Sequence, residues 1–397
     1  MPVDQQTSAA VRGMLAERTG TSAADWHLVL KARYGMEVVF RELAASREPG
    51  EVVTQIFTCA TAVDPIITGR LRPVYSEVAP ESVALDPAGL QLTDRTRAVV
   101  LQHTFGIVDE ARSRRLRAAA DRVGALLVED SAHCVGRMAR TADGDPLADV
   151  SVHSFGAEKV LPTRFGGAIW VNPALPDDLL AERIAGHLQV LPTPGRRIDL
   201  TSRAYRSQVR VFNRLPARMA AAARSTLTRA RLFEPPISAE ETRAGLDYEP
   251  MAPTPWMVRQ IAEQLPRLDQ VQRGRAAAVA EYLDELGDVV TVPASIDRAQ
   301  PLVRFPFFVP DFVDADDVVR AVTDAGFYAG RWYRPALFPG TTEPAAYGYS
   351  PGDPALAVSE DLIARVVNLP TTVDPAGARR AADVVRRALS AGGALRI

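Results

Sequence analysis

The feature that most limits how this chain can fold is an alternation of two periods between about residues 24 and 175. Short apolar runs at Glu51–Phe57, Arg72–Val78, Arg97–His103, Ala125–Asp130, Asp149–Phe155 and Gly166–Val171 have the length of buried strands. Helical patterns lie between several of them. Ala60–Thr68 stops before Gly69 and Glu110–Val123 before Gly124, so each glycine is expected to close its helix in the left-handed conformation. Strand–helix–strand alternation with short connections predicts an α/β fold, a mostly parallel sheet covered by helices on both faces. Ligands of such sheets bind beyond the carboxyl ends of the strands, and chemistry is to be sought there.

Around residues 195–247 the texture changes to an arginine-rich helical insertion. Residues 200–233 hold eight arginines and no acid, and Arg206, Arg210, Arg214 and Arg218 recur every four positions, with Pro216 as a break. Such a row suits either a polyanion clamp or a solvated helix face. Beyond it come expected helices over Leu268–Leu286, Ala315–Ala325 and Ala376–Leu389, with strands near Val289–Val292 and Arg304–Val309. The expected division is a polar leader at 1–23, a large domain at 24–250 containing the insertion, and a small α/β domain at 251–397.

With 47% hydrophobic residues the chain has material for a sizeable core, and a net charge of -2 gives no field to recruit nucleic acid or an anionic membrane. Two cysteines are too few for a disulfide framework. The N-terminal MPVDQQTSAAVRG has no apolar core of a signal peptide, and no run approaches the ~18 apolar residues of a membrane span. A cytoplasmic location is expected.

Glu129 and Asp130 end the apolar run ALLVED, at the ligand edge of the sheet. A loop acid alone is as ordinary as a helix cap. Lys159 lies 29 residues further, in SVHSFGAEKVLPTRFGGA, directly after another strand and before the Gly166–Gly167 pair. A lysine at such a place can form a Schiff base with an aldehyde cofactor, and an aspartate facing a pyridine nitrogen keeps that ring an electron sink. Nicotinamide chemistry is disfavoured, because no G-x-G-x-x-G follows the first strand.

The segments AVVLQHTFG, VEDSAHCVG and ADVSVHSFGAEKVLPTRFGGAIWVN, in that order and spacing, resemble the DegT/DnrJ/StrS aminotransferases. FTCATAVDPIITGRLRPVYSEVAPESVALDP, QLPRLDQVQRGRAAAVAEYL and RVVNLPTTVDPAGARRAADVV extend the likeness over most of the chain. The resemblance implies a fold type I pyridoxal phosphate enzyme: a large sheet domain, a smaller C-terminal domain, and a homodimer with active sites at the interface. It implies Lys159 as the residue bonded to the cofactor, Asp130 on its pyridine nitrogen, His133 near its ring oxygen and Ser154 on its phosphate. Gly35, Met36 and Glu37 would stand for the family's Ser-Gly-Thr phosphate turn, and Thr58, or Phe57 one residue earlier, for the side chain stacked on the ring. His103 would point toward the site. The implied reaction moves an amino group from glutamate or glutamine to a keto or aldehyde acceptor such as a keto-sugar.

Some positions depart from the family pattern. Met36 supplies no hydroxyl and Glu37 puts a carboxylate near a dianion. YEPMAPTP around Pro250 replaces a motif whose asparagine reaches the partner's phosphate, and Arg164–Phe165 replaces Gly-Glu. Arg164 would serve as a donor to phosphate or to a substrate carboxylate, or remain an exposed loop arginine. The alternatives are a lyase or carbon–carbon bond-forming enzyme on the same scaffold, and a non-catalytic cofactor-binding accessory protein.

Overall fold

The computed structural model describes residues 3–48 and 50–394; residues 1–2, at the start of the expected leader, Pro49 in the large domain, and 395–397, at the end of the C-terminal one, lie outside them. The stretch expected as a polar leader carries helix α1 (Val3–Thr19), whose Val11 and Leu15 are fully buried. They pack against Trp26 and Trp170 of the sheet, so the segment is part of a core. Its apolar residues are too sparse to give a helical stripe in sequence.

Seven strands form the main sheet: β1 (Trp26–Val29), β2 (Glu51–Thr54), β3 (Arg72–Tyr75), β6 (Thr96–Gln102), β7 (Leu126–Asp130), β8 (Val150–Ser154) and β9 (Gly167–Val171). A short hairpin, β4 (Val78–Ala79) with β5 (Ala84–Leu85), stands apart from it. The order is β1-β9-β8-β7-β6-β2-β3. All neighbours run parallel except at β9, which is antiparallel to both β8 and β1. Strands of a sheet covered on both faces read as continuous apolar runs, which is why these were legible. Along them alternate residues diverge. Val52, Ala98, Val100, Leu126 and Val128 face α2 (Ala32–Ser46), α3 (Ala60–Thr68) and α5 (Asp178–Gln189), while Val53, Val99, Leu101 and Leu127 face α4 (Glu110–Arg122). Fully burying side chains of this size contributes about 1.5–3 kcal/mol each.

Gly124 follows α4 with φ of 63°, as expected of a left-handed cap. Gly69 does not. Its φ is -72°, and the left-handed conformation falls on Arg70 (φ 66°). A Cβ on Gly69 would lie 2.6 Å from that of Phe40, so this glycine serves the close approach of α2 and α3.

Two helices, α6 (Arg196–Phe212) and α7 (Ala217–Arg229), make up the arginine-rich stretch, and Pro216 breaks them as the sequence predicts. Because α6 ends at Phe212, Arg214 and Arg218 leave the face that carries Arg206 and Arg210. Next, α8 (Pro255–Gln264) packs its Val258 and Ile261 on α1 and the main sheet, although it falls within the stretch expected as the small domain. The remaining elements are α9 (Leu268–Leu286), β10 (Arg304–Phe308), α10 (Ala315–Asp324), α11 (Ala357–Arg365), β11 (Val366–Pro370) and α12 (Pro375–Ala394). They bury Phe305, Phe307 and Tyr282 around the antiparallel β10–β11 pair. Val289–Val292 forms no strand; Thr291 alone bridges to Phe308. No helix among the described residues is long and apolar enough to cross a membrane.

Candidate active site

A cleft of about 1110 Å³ opens beyond the carboxyl ends of the parallel strands, where the topology predicts it. Gln102, Asp130 and Ser154, the last residues of β6, β7 and β8, all line it. Of the residues singled out in sequence, Lys159, Asp130, His133, Ser154, Met36, Thr58, Arg164 and His103 also line it; Gly35, Glu37 and Phe57 do not.

Lys159 follows β8 on a loop whose Glu158 and Arg164 both adopt positive φ. Its amine lies 5.5 Å from the centre of the Trp332 ring. Burial pushes the amine below the ordinary lysine value, and the Arg33 guanidinium adds to this against the pull of Cys59 and Asp130. Asp130 Oδ1 accepts the Ala132 N–H at 3.0 Å. Among the described residues its other oxygen has no partner, and burial raises the carboxyl. An orphan acceptor of that kind, facing a cleft, suits a protonated ring nitrogen.

One residue back, Glu129 points to the opposite face. It meets His103 Nε2 at 2.8 Å, the Ala139 N–H at 2.5 Å and the Ser151 hydroxyl. Burial would raise this carboxyl, but those hydrogen bonds hold it low. The pair braces the end of β7 beside Asp130. His133 is kept neutral by burial, with Lys159 and Arg304 adding to the effect. Its Nδ1 accepts the Phe105 N–H at 3.1 Å, which places its proton on Nε2, 3.0 Å from the Tyr333 hydroxyl. That hydroxyl thus accepts from His133 and keeps its own proton to donate into the cleft. Trp332 stacks on His133 at 5.2 Å. Tyr333 and Trp332 are site residues that sequence reasoning missed, because they arrive from a loop some two hundred residues away without a periodic signal.

The structure starts α2 earlier than the expected phosphate turn. Helix α2 begins at Ala32, with Lys31 as an N-cap that makes no side-chain cap bond. Gly35, Met36 and Glu37 therefore sit a turn inside the helix. A Cβ on Gly35 would meet Ile169 at 2.3 Å, and Glu37 is ion-paired with Arg41 at 2.5 Å. Lys31, Ala32 and Arg33, at the helix start, line the cleft together with Met36 and Ser154. Gly167 permits this, since a Cβ there would lie 2.6 Å from the Ala32 nitrogen. An open helix N-terminus with two cations is a ready anion site. The ring-stacking expectation also changes: Thr58 donates to Gln102, while Phe57 is fully buried edge-on to Phe105 and Tyr333.

At the mouth stand Arg164, Arg206, Arg210, Arg224 and Arg267. Among the described residues none of the five has a carboxylate within 4.0 Å. Burial and the neighbouring Arg164 and Arg210 hold Arg206 below the ordinary arginine value.

A free amine, a carboxylate oxygen open to the cleft and an open helix end with cations fit pyridoxal phosphate, and together with the sheet they define a fold type I enzyme of that cofactor. The family model of the DegT/DnrJ/EryC1/StrS aminotransferase family matches residues 18–234. The chain belongs to this family. It is 39% identical over 104 residues, 26% of the chain and 24% of the relative, to an L-glutamine:2-deoxy-scyllo-inosose aminotransferase of Streptomyces paromomycinus. A GDP-perosamine synthase of Vibrio cholerae is 28% identical over 171 residues, 41% of the chain and 45% of the relative. The matched stretches thus span less than half of these curated relatives. Among solved structures, DesI with its TDP-sugar product superposes with a TM-score of 0.67 at 22% identity, covering 99% of this chain and 88% of DesI. The PMP form of Spr1654, a sugar aminotransferase candidate from Streptococcus pneumoniae, gives 0.70 at 17% identity over 97% and 92%.

Proposed function

We propose that the protein moves an amino group from glutamate or glutamine to a keto or aldehyde carbon of a sugar or cyclitol acceptor. The observation that carries this reading is that Asp130, at the end of β7, and Lys159, on the loop after β8, line one cleft. The relatives' names supply the donor and the acceptor class. In this reading Asp130 pairs with the ring nitrogen, while Ser154 and the first N–H groups of α2 hold the phosphate. Pyridoxal phosphate, when bound, supplies the electron sink that makes a substrate C–H acidic. The neutral Lys159 amine takes that proton and returns it to the neighbouring carbon as base and then acid. The Tyr333 hydroxyl, fixed by His133, orients the ring's own oxygen. A homodimer in the cytoplasm fits the family and the unpaired Cys59 and Cys134.

The test is an absorption spectrum of the purified protein before and after adding glutamine or glutamate, on a preparation checked by sedimentation for a dimer. The expected result is a visible cofactor band that either donor bleaches, with one keto acid released per site. A bound cofactor that neither donor converts would instead support the lyase or carbon–carbon bond-forming alternatives.

The unpaired arginines at the mouth suit an acceptor that carries phosphate or carboxylate groups. Replacing Arg206 and Arg210 together with Gln should raise the acceptor KM about tenfold or more, at one or two charge-assisted hydrogen bonds lost, and leave kcat within about twofold. An unchanged KM would make them a solvated helix face.

A further inference from the structure

Of the 46 cationic side chains in this sequence 44 are arginine; the two lysines are Lys31 and Lys159, and both line the cleft. Lys31 has no part in the reaction outlined above, and it belongs to a buried cluster of unusual make-up. Its amine lies 3.2 Å from Glu234 and 3.9 Å from Glu241, and Arg33 Nη1 lies 2.6 Å from Glu241. Arg33 Nη2 also donates to the Pro236 carbonyl at 3.1 Å. Both carboxylates come from the segment that follows α7, at the end of the arginine-rich insertion. The Glu241 side chain is fully buried, and that of Lys31 is 8% exposed.

The ion pairs of this cluster are close but imperfectly aligned. Lys31 Nζ and Arg33 Nη1 are buried without a well-aligned hydrogen bond, as are Glu234 Oε1 and Glu241 Oε1. An ammonium has three donors and a guanidinium five, and here they face two carboxylates and the Pro236 carbonyl. Both cations stand at the uncapped start of α2, and both residues line the cleft with Ser154. Two cations there would repel each other and the helix dipole without the carboxylates behind them. Glu241 also accepts the Ser238 N–H at 2.8 Å, which fixes the carboxylate before any ligand arrives.

We propose that Lys31 and Arg33 are phosphate anchors of the cofactor site and that Glu241, from the insertion, is the positioning residue that aims Arg33 at the phosphate. The insertion thereby completes the phosphate cup within one chain, with side chains absent from the family's Ser-Gly-Thr turn. This inference rests on the cofactor reading proposed above.

The experiment compares dissociation constants for pyridoxal phosphate and for pyridoxal, which lacks the phosphate, read from the absorption of the bound chromophore. In the wild type, pyridoxal phosphate should bind far more tightly. Lys31→Met and Arg33→Met should each reduce that preference about tenfold, as expected for losing a charge-assisted hydrogen bond; the ratio of the two constants is what is read, because Arg33 also acts on the Lys159 amine and so on both forms alike. Arg33→Lys should restore part of the preference. Glu241→Gln should shift it in the same direction as Arg33→Met, by less. A preference unchanged in Met variants that still bind pyridoxal would overturn the anchor role. If Glu241→Gln strengthened phosphate binding, the carboxylate would be a mere repulsion and its positioning role would fall. Failure of the wild type to bind either form would bring down the cofactor reading and this inference with it.

Discussion

Lys159→Ala is expected to remove the visible absorption of the bound cofactor and to lower turnover by about 10²–10⁴-fold or more, since it deletes both the covalent tether and the proton carrier. The cleft would keep its other contacts, so pyridoxal phosphate should still bind, weakly and without the wild-type band. Added methylamine should recover part of the activity by standing in for the missing amine. A variant with the wild-type spectrum would show that another residue holds the cofactor. The same amine gives a pH signature. Capture of an aldehyde needs the uncharged lysine, and burial with Arg33 lowers its proton affinity from the ordinary 10.5. The rate of cofactor capture by apoprotein should therefore rise with pH through a midpoint below 10.5, and Arg33→Met should move that midpoint upward. Stopped-flow absorbance across pH measures both.

How much of this was legible in sequence depended on the kind of element. The parallel strands could be read because burial on both faces makes each an unbroken apolar run. Their carboxyl ends then located Asp130 and Ser154, and Lys159 followed directly after β8. Elements with one weak apolar edge were missed: β1, which lies at the sheet's margin, and α1, anchored mainly through Val11 and Leu15. The start of α2 is hard to read because its apolar stripe is legible from Met36, while the helix opens with Lys31, Ala32 and Arg33. None of these three is a usual capping residue. Lys31 and Arg33 make sense only once Glu234 and Glu241, some two hundred residues later, stand against them, and a linear reading contains no such neighbour. Trp332 and Tyr333 belong to the same class of omission.

Asp130→Asn separates a functional aspartate from a structural one by driving activity and stability in opposite directions. Asparagine has the same shape, and its side-chain oxygen can still accept the Ala132 N–H. What it lacks is the negative charge that would hold a proton on the cofactor ring. Turnover should fall about 10²–10⁴-fold, the range for losing a proton held in place during acid–base chemistry, while Lys159 still takes up cofactor. The cofactor-free protein should respond otherwise. Burial raises the Asp130 carboxyl above its unfolded value of 3.8, so between that value and the folded one the folded state binds more protons than the unfolded state. Stability therefore falls as pH rises through that window, and the neutral amide removes the loss. Apoprotein Asp130→Asn should melt no lower than wild type at pH 8 and show a flatter pH dependence. If the variant were instead both inactive and less stable at that pH, Asp130 would be a packing residue and the electron-sink assignment would fail. A gain or tie in stability beside a large loss of rate is what a charge kept for chemistry predicts, because nothing in the fold itself needs it.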